Sequence, residues 1–425
     1  MRFAEKHRRL LNAYVRRTPA LLESSLAPLL RAPRLIEFDN KRAYFRTKVR
    51  QHDSAAAGGR PYGSLRLAVR REHVFEDSFH QLRSRTPQEL RLKLNVSFQG
   101  EEGIDAGGVS REWYAVMARE VFNPNLALFV QVPERGTTFQ PNPNSIVQSD
   151  RGINHLDYFR FVGRLVGKAL HDGQLIDAYF TRSFYKHMLG QVLTYEDIEA
   201  VDPSYYRTLV WMLQNDITDV LDLTFTAETD FFGRKEQVEL VPGGKDLRVT
   251  EANKRVYVDL IARHCMTTSI RHQISAFLEG FWEMVPRNLI SIFNDHELEL
   301  LISGLPDIDV ADLRANTLYM GYSNTAPQIR WFWEVISELG REELAQVLQF
   351  ITGTSKVPLE GFKALQGIGG PQKFQIHKAY GASNRLPSAH TCFNQLDLPE
   401  YDSKEVLRER LMLAIHEGGT GFGFA

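Results

Sequence analysis

The chemistry-bearing stretch of this chain is Leu386-Pro387-Ser388-Ala389-His390-Thr391-Cys392-Phe393-Asn394-Gln395-Leu396-Asp397-Leu398-Pro399. It holds one of the two cysteines, set among Pro, Ser, Thr and Asn, residue types that keep backbone in turns and at surfaces. That setting predicts a reachable sulfur. A thiol attacks as thiolate, and an unperturbed cysteine of pKa about 8.5 supplies only a few per cent of it at neutral pH. His390 and nearby backbone N–H groups are local means of raising that fraction. Cys265 is the contrast: it follows Tyr257 and Ile261 at steps of four, in the apolar stripe of a helical segment, and reads as core.

The rest of the chain must position that loop. At 425 residues it exceeds one core and should divide into two or three domains. Hydrophobic content of 43% with 24% charged residues suits a soluble globular protein. A net charge of -1 gives no general attraction to nucleic acid or membrane, and no apolar run approaches the ~20 residues that span a bilayer. Two cysteines in such different settings argue against a disulfide framework and for a reducing compartment.

Period and punctuation give the elements. Leu10, Leu11, Tyr14 and Val15 fall at helical spacing, and Leu35, Phe38, Tyr44 and Phe45 mark a second helix, so the basic start reads as a helical arm rather than a transit peptide. A flexible linker is expected from His52 to Ser64. Leu65, Leu67 and Val69, then Leu92, Leu94, Val96 and Phe98, alternate as strands around a helix at Val74 to Leu82. The glycines from Gly100 to Gly108 lack the Lys-Ser/Thr closure of a phosphate loop and the spacing of a dinucleotide fingerprint, so they read as a tight turn before a helix beginning near Val109. Asn154 should cap a helix that Gly173 ends. His155, His171 and His187 lack the paired spacing of a zinc site. From Ser183 to Pro242 the chain reads as an appended subdomain, with a strand at Leu221 to Phe225. A long amphipathic run from Thr250 to Val285 breaks near Thr267-Thr268, and Asn294 with Glu297 forms a capping box for a helix through Ile302. Gly304-Leu305-Pro306 ends it. Helices at Gln328 to Leu339 and Glu342 to Ile351, a strand at Phe374 and Ile376, and a final helix at Val406 to Ile415 make a small α/β domain around the cysteine loop.

The run around Cys392 resembles the active-site segment of HECT-type ubiquitin-protein ligases, where the cysteine between Thr and Phe accepts ubiquitin as a thioester. Three further segments carry the same resemblance in order: Phe98 to Gly108 followed by Arg111-Glu112-Trp113-Tyr114, Gln349 to Pro358, and the tail Gly421-Phe422-Gly423-Phe424-Ala425. Within that family the likeness is to the very large Mule and plant ubiquitin-protein-ligase branch, with this chain corresponding to the C-terminal part. The resemblance implies an α+β, bilobal fold: a helical arm and linker over 1–63, a large, mostly helical N-lobe over 64–304 with a conjugating-enzyme-binding subdomain at 183–249, and a small α/β C-lobe over 305–425. It implies ubiquitin, a ubiquitin-conjugating enzyme and protein substrates as partners, no metal or other cofactor, and self-association or regulation through the arm. It places the docking groove at Tyr205, Leu209, Met212, Leu221, Leu223 and Tyr257, makes Gly304, Leu305 and Pro306 a hinge, and gives Phe422, four places from the end, a supporting role in ligation.

The implied chemistry is two acyl transfers: Cys392 takes ubiquitin from the conjugating enzyme, and a substrate lysine takes it from Cys392. His390 and Asp397 are the local candidates for receiving the amine's proton, while Thr391 and Phe393 position the thioester. Two rivals remain. A papain-like hydrolase sets its His and Asn far downstream of the cysteine, whereas only His416 follows Cys392 here. A catalytically inactive binding module would not need both Cys392 and Phe422. The chemistry suits the cytoplasm or nucleus.

Overall fold

The computed structural model describes residues 2–56, 63–101, 108–132, 138–149, 152–231, 234–304, 308–352, 356–358, 361–367, 370–380 and 385–418. Packing divides the chain into two units built from separate stretches: residues 1–59, 121–171 and 178–299 form one, and residues 60–120, 172–177 and 300–425 the other. Both mix helices with small sheets, giving the expected α+β class. Among the described residues no helix is long and apolar enough to cross a membrane.

In the first unit, helices His155–Asp172 and Arg271–Met284 cross where each presents glycine. A Cβ on Gly163 would stand 1.9 Å from the carbonyl oxygen of Phe277, and one on Gly280 would stand 2.0 Å from that of Arg160. The two backbones therefore touch, and the absence of side chains is what lets them. Phe129, Phe159, Phe180, Phe184 and Phe277 pack with one another at ring separations of 4.8 to 6.5 Å. Asn154 caps the first helix by accepting from the Leu156 N–H at 2.9 Å, and Gly173 ends it at φ 70°.

The basic N-terminal segment forms helices Arg8–Arg17 and Phe38–Ala56 in the same unit. Buried Asn12 ties them together: its Nδ2 donates to the Leu35 carbonyl at 2.8 Å, and its Oδ1 accepts from the Glu37 N–H at 2.7 Å and Asn40 Nδ2 at 2.9 Å. Lys41, 3% exposed, reaches Glu297 at 2.7 Å. That carboxylate also accepts from the Asn294 N–H at 2.9 Å, while Asn294 Oδ1 accepts from the Glu297 N–H at 2.8 Å, completing the expected capping box on helix Asp295–Ser303. Of the apolar residues that suggested the first helix, Val15 is buried whereas Leu10 and Tyr14 face outward. The linker expected from His52 begins later, because the second helix runs on through Ala55 and Ala56; alanine is the strongest helix former. Residues 57–62 lie outside the described residues.

The strand expected at Leu221 to Phe225 is reduced to one antiparallel bridge, Thr224 to Arg248. Regular pairing starts at Thr226, where Thr226–Phe231 and Arg234–Glu239 form an antiparallel hairpin, while Leu221 and Leu223 pack their side chains against an apolar cluster instead. That cluster joins Ile198, Leu209, Met212, Phe225 and Val249 to Tyr257, Val258 and Ile261 of helix Lys254–Met266.

In the second unit, strands Ser64–Val69 and Lys93–Phe98 pair in parallel, alternate residues buried, around helix Val74–Leu82. Residues 102–107 of the glycine-rich run lie outside the described residues, and helix Gly108–Val121 comes next. Its Trp113 Nε1 donates to Ser78 Oγ at 2.9 Å, and Tyr114 donates to Asp172 at 2.9 Å. The C-terminal stretch has its own sheet in the order Ser388–His390, Gln395–Pro399, Phe374–Ala379, Thr317–Met320. Its inner face, with Phe374, Ile376, Leu396 and Leu398, packs in one core with Phe332, Trp333, Leu348 and Leu407 of helices Pro327–Glu338, Arg341–Thr352 and Lys404–Gly418.

The glycine crossing predicts that Gly163→Ala lowers stability by at least the ~1–3 kcal/mol typical of overpacking, read as a drop in urea midpoint. Gly340→Ala, whose Cβ would meet nothing closer than 3.8 Å, should stay within about 0.5 kcal/mol of the parent. Equal effects at the two positions would contradict the crossing.

Candidate active site

Cys392 lies in the 3-10 turn Thr391–Phe393 at the tip of a hairpin. The flanking strands are antiparallel with His390 opposite Gln395 and Ser388 opposite Asp397. Asn394 closes the turn in the left-handed region at φ 51°, ψ 41°, a conformation that asparagine tolerates better than most residues. Its N–H donates to the Thr391 carbonyl at 3.3 Å, its own carbonyl accepts from the Gln375 N–H at 2.9 Å, and its Nδ2 donates to the Gln372 carbonyl at 2.8 Å. Asn394 and Thr391 are buried while Phe393 is exposed. The side chain of Cys392, together with Leu305, Pro306 and Phe422, lies outside what the structure describes.

Helix Gly108–Val121 supplies the remaining lock. Arg111, buried, donates through Nη1 to Asn394 Oδ1 at 3.2 Å and through Nη2 to the Thr391 carbonyl. In the sequence Arg111 stands within the motif Arg111-Glu112-Trp113-Tyr114 with no role attached, and nothing in its spacing signals a partner 280 residues away.

Alternation along the strands puts His390, Gln395, Asp397, Gln375 and His377 on the sheet face opposite the core. His390 Nε2 lies 3.0 Å from Asp397 Oδ2, a diagonal cross-strand pair, and Gln395 Nε2 donates to Asp397 Oδ1 at 2.6 Å. Gln375 Nε2 donates to the Phe393 carbonyl at 3.3 Å, and its Oε1 lies 3.0 Å from His377 Nε2. A carboxylate so oriented can hold an imidazole ready to take a proton. The structure thus gathers His390, Thr391, Phe393 and Asp397 on one hairpin. Sequence reasoning missed Asn394, Gln395 and Gln375; the turn propensity of asparagine after Thr-Cys-Phe was the available signal.

The six residues expected to form a docking groove also come together within a single cluster, but not as an open groove. Leu209 and Met212 are each 1% exposed and Tyr257 is buried with them, whereas Tyr205, Leu221 and Leu223 are half-buried at the margin. Trp211, on the opposite side of helix Pro203–Gln214 from Leu209, is 42% exposed, and Val220 is also exposed. Gly304 caps helix Asp295–Ser303 at φ 73°, and a Cβ there would meet Leu175 and the Val357 carbonyl at 2.7 Å. Cys265 packs against the same apolar cluster, and burial pushes its thiol up to about 11. His155 and His187 serve structure: the first lies 3.0 Å from Ser145 Oγ and the second 3.1 Å from the Met266 carbonyl. Among the described residues no three His, Cys, Asp or Glu side chains form a metal-binding group.

The family described as HECT-domain (ubiquitin-transferase) matches residues 115–425. The E3 ubiquitin-protein ligase UPL1 of Arabidopsis thaliana is 62% identical over 432 residues, covering the whole chain and 12% of that relative. HUWE1 of Mus musculus is 49% identical over 427 residues, and TOM1 of Saccharomyces cerevisiae 48% over 426, each across the whole chain but only 10% and 13% of the relative. The chain therefore spans about an eighth or less of the length of these relatives.

The turn geometry predicts that Asn394→Gly, which keeps the backbone conformation but removes the side-chain hydrogen bonds with Gln372 and Arg111, destabilises by ~1–3 kcal/mol. Asn394→Ala should cost about 1 kcal/mol more for the left-handed backbone. Chemical denaturation measures both, and a Gly variant as stable as the parent would mean that conformation alone holds the turn.

Proposed function

This chain belongs to the HECT-domain (ubiquitin-transferase) family, and from that premise we propose that Cys392 accepts ubiquitin from a conjugating enzyme and passes it to lysines of protein substrates. The observation carrying the proposal is the hairpin turn: Cys392 sits between Thr391 and Asn394, both hydrogen-bonded to Arg111, on the hairpin that also carries the His390–Asp397 pair. In the first step the Cys392 thiolate attacks the carbonyl of the incoming thioester, and the thiolate of the conjugating enzyme leaves. One thioester replaces another, so the exchange is close to neutral and alignment is the main requirement. In the second step a lysine amine attacks the new thioester carbonyl, the Cys392 thiolate departs, an isopeptide bond forms and the amine gives up a proton. His390, oriented by Asp397, receives it.

We assign residues 64–304 to an N-lobe, 305–425 to a C-lobe hinged at Gly304-Leu305-Pro306, and conjugating-enzyme docking to the 183–249 subdomain. Half-buried Tyr205, Leu221 and Leu223 with exposed Trp211 supply its surface, while Leu209, Met212 and Tyr257 support them from below. A few aromatic and apolar anchors within a polar rim suit a transient partner. Exposed Phe3, Leu10 and Tyr14 support self-association through residues 1–63. Chemistry that needs a free thiol supports a reducing compartment, the cytoplasm or nucleus.

The test is a single-turnover chase from a ubiquitin-loaded conjugating enzyme, with gels run with and without reductant. The parent should form an adduct that reductant removes and Cys392→Ala should form none. Asp397→Asn should pick up ubiquitin at the parental rate yet discharge it to lysine at least about tenfold more slowly, less than the ~100-fold or more of losing a general base outright because His390 remains. Binding of the loaded enzyme without an adduct would mean an inactive module, and release of free ubiquitin without ligation would mean a hydrolase.

A further inference from the structure

Among the described residues, the turn bearing Cys392 is held from outside its own sheet by one cation, Arg111. Arg111 sits at the start of helix Gly108–Val121, and its guanidinium bridges the two ends of the turn: Nη2 to the carbonyl of Thr391, the residue before the nucleophile, and Nη1 to the side chain of Asn394, two residues after it. Both acceptors and the guanidinium are buried. A guanidinium is a permanent cation with a planar fork of donors, and removed from water its field is weakly screened. We propose that Arg111 is a positioning residue for the nucleophile, its fork fixing the turn and its charge favouring the thiolate of Cys392. The transfer part of this proposal rests on the ligase reading above; the thiolate part does not.

Other charged groups stand around the turn and are separable from Arg111. His390 and Asp397 pair with each other on the outer face, with His377 joined to the turn only through Gln375. Helix Arg341–Thr352 packs against the turn and carries ionisable residues only at its start, Arg341, Glu342 and Glu343; strand Gln366–Gly367, also packed there, has none. Lys373 follows Gln372, the partner of Asn394. On helix Gly108–Val121 the neighbouring Glu112 turns to Arg71 at 2.8 Å. Arg111 is the group among these whose side chain bonds directly to the turn on both sides of Cys392.

The experiment is iodoacetamide alkylation of the full chain from pH 5 to 10, following the Cys392 and Cys265 peptides separately by mass spectrometry, alongside ubiquitin pickup from a loaded conjugating enzyme. Arg111→Gln should raise the alkylation midpoint of Cys392 by about one pH unit, the low side of what an adjacent opposite charge does, and leave Cys265 unmoved. Its pickup at neutral pH should fall about tenfold and recover partly at higher pH. Arg111→Lys, which keeps the charge but loses the fork, should keep the parental midpoint and still slow pickup several-fold. An unshifted midpoint in Arg111→Gln overturns the proposal; so does Arg111→Lys with parental pickup, which carries the test should Arg111→Gln fail to fold. If the parent forms no ubiquitin adduct, the ligase reading fails while the alkylation midpoints still decide the role of Arg111.

Discussion

A buried guanidinium must have its donors met, because water is not there to meet them. In this protein that requirement joins the start of one helix to the carbonyl and amide that bracket Cys392. The hairpin strands fix where the turn sits, the left-handed Asn394 fixes how sharply it closes, and Arg111 fixes both ends at once. Hydrogen bonds thus tie the backbone and side chains on both sides of Cys392 to two other segments of the same unit.

The elements around this centre were largely legible where one physical signal dominated. Alternating Leu65, Leu67 and Val69 gave a strand because one side of a paired strand is buried, and Asn294 with Glu297 gave a helix start because two short side chains there satisfy two backbone donors. Signals failed where two structures share one pattern. Leu221, Leu223 and Phe225 alternate as a strand does, yet the segment makes only one antiparallel bridge and lays its side chains on an apolar cluster, while the polar segment Arg234–Glu239 forms a strand with every side chain exposed. A hairpin of that kind has no buried face to announce it.

At the site the same division holds. The cysteine and its His and Asp neighbours stand close together in sequence and on one hairpin. Arg111 does not, since its role depends on where a distant helix comes to rest. The residues expected to form a docking groove show a subtler limit: helical spacing identified Leu209 and Met212 as one face but could not say whether that face looks inward or outward, and it looks inward. Exposed Trp211 stands on the other side of the same helix.

One carboxylate of the first unit has a wider reach than its two short contacts suggest. Glu297 caps helix Asp295–Ser303 and simultaneously neutralises buried Lys41. Excising everything before the first strand would strip that carboxylate of its cation and leave Phe293 without Phe45, so the leading 56 residues are an integral part of the unit they pack in. A minimal fragment intended for crystallisation or screening should start at the first helix, and one starting near Ser64 would begin life with a stranded anion and a bared aromatic patch.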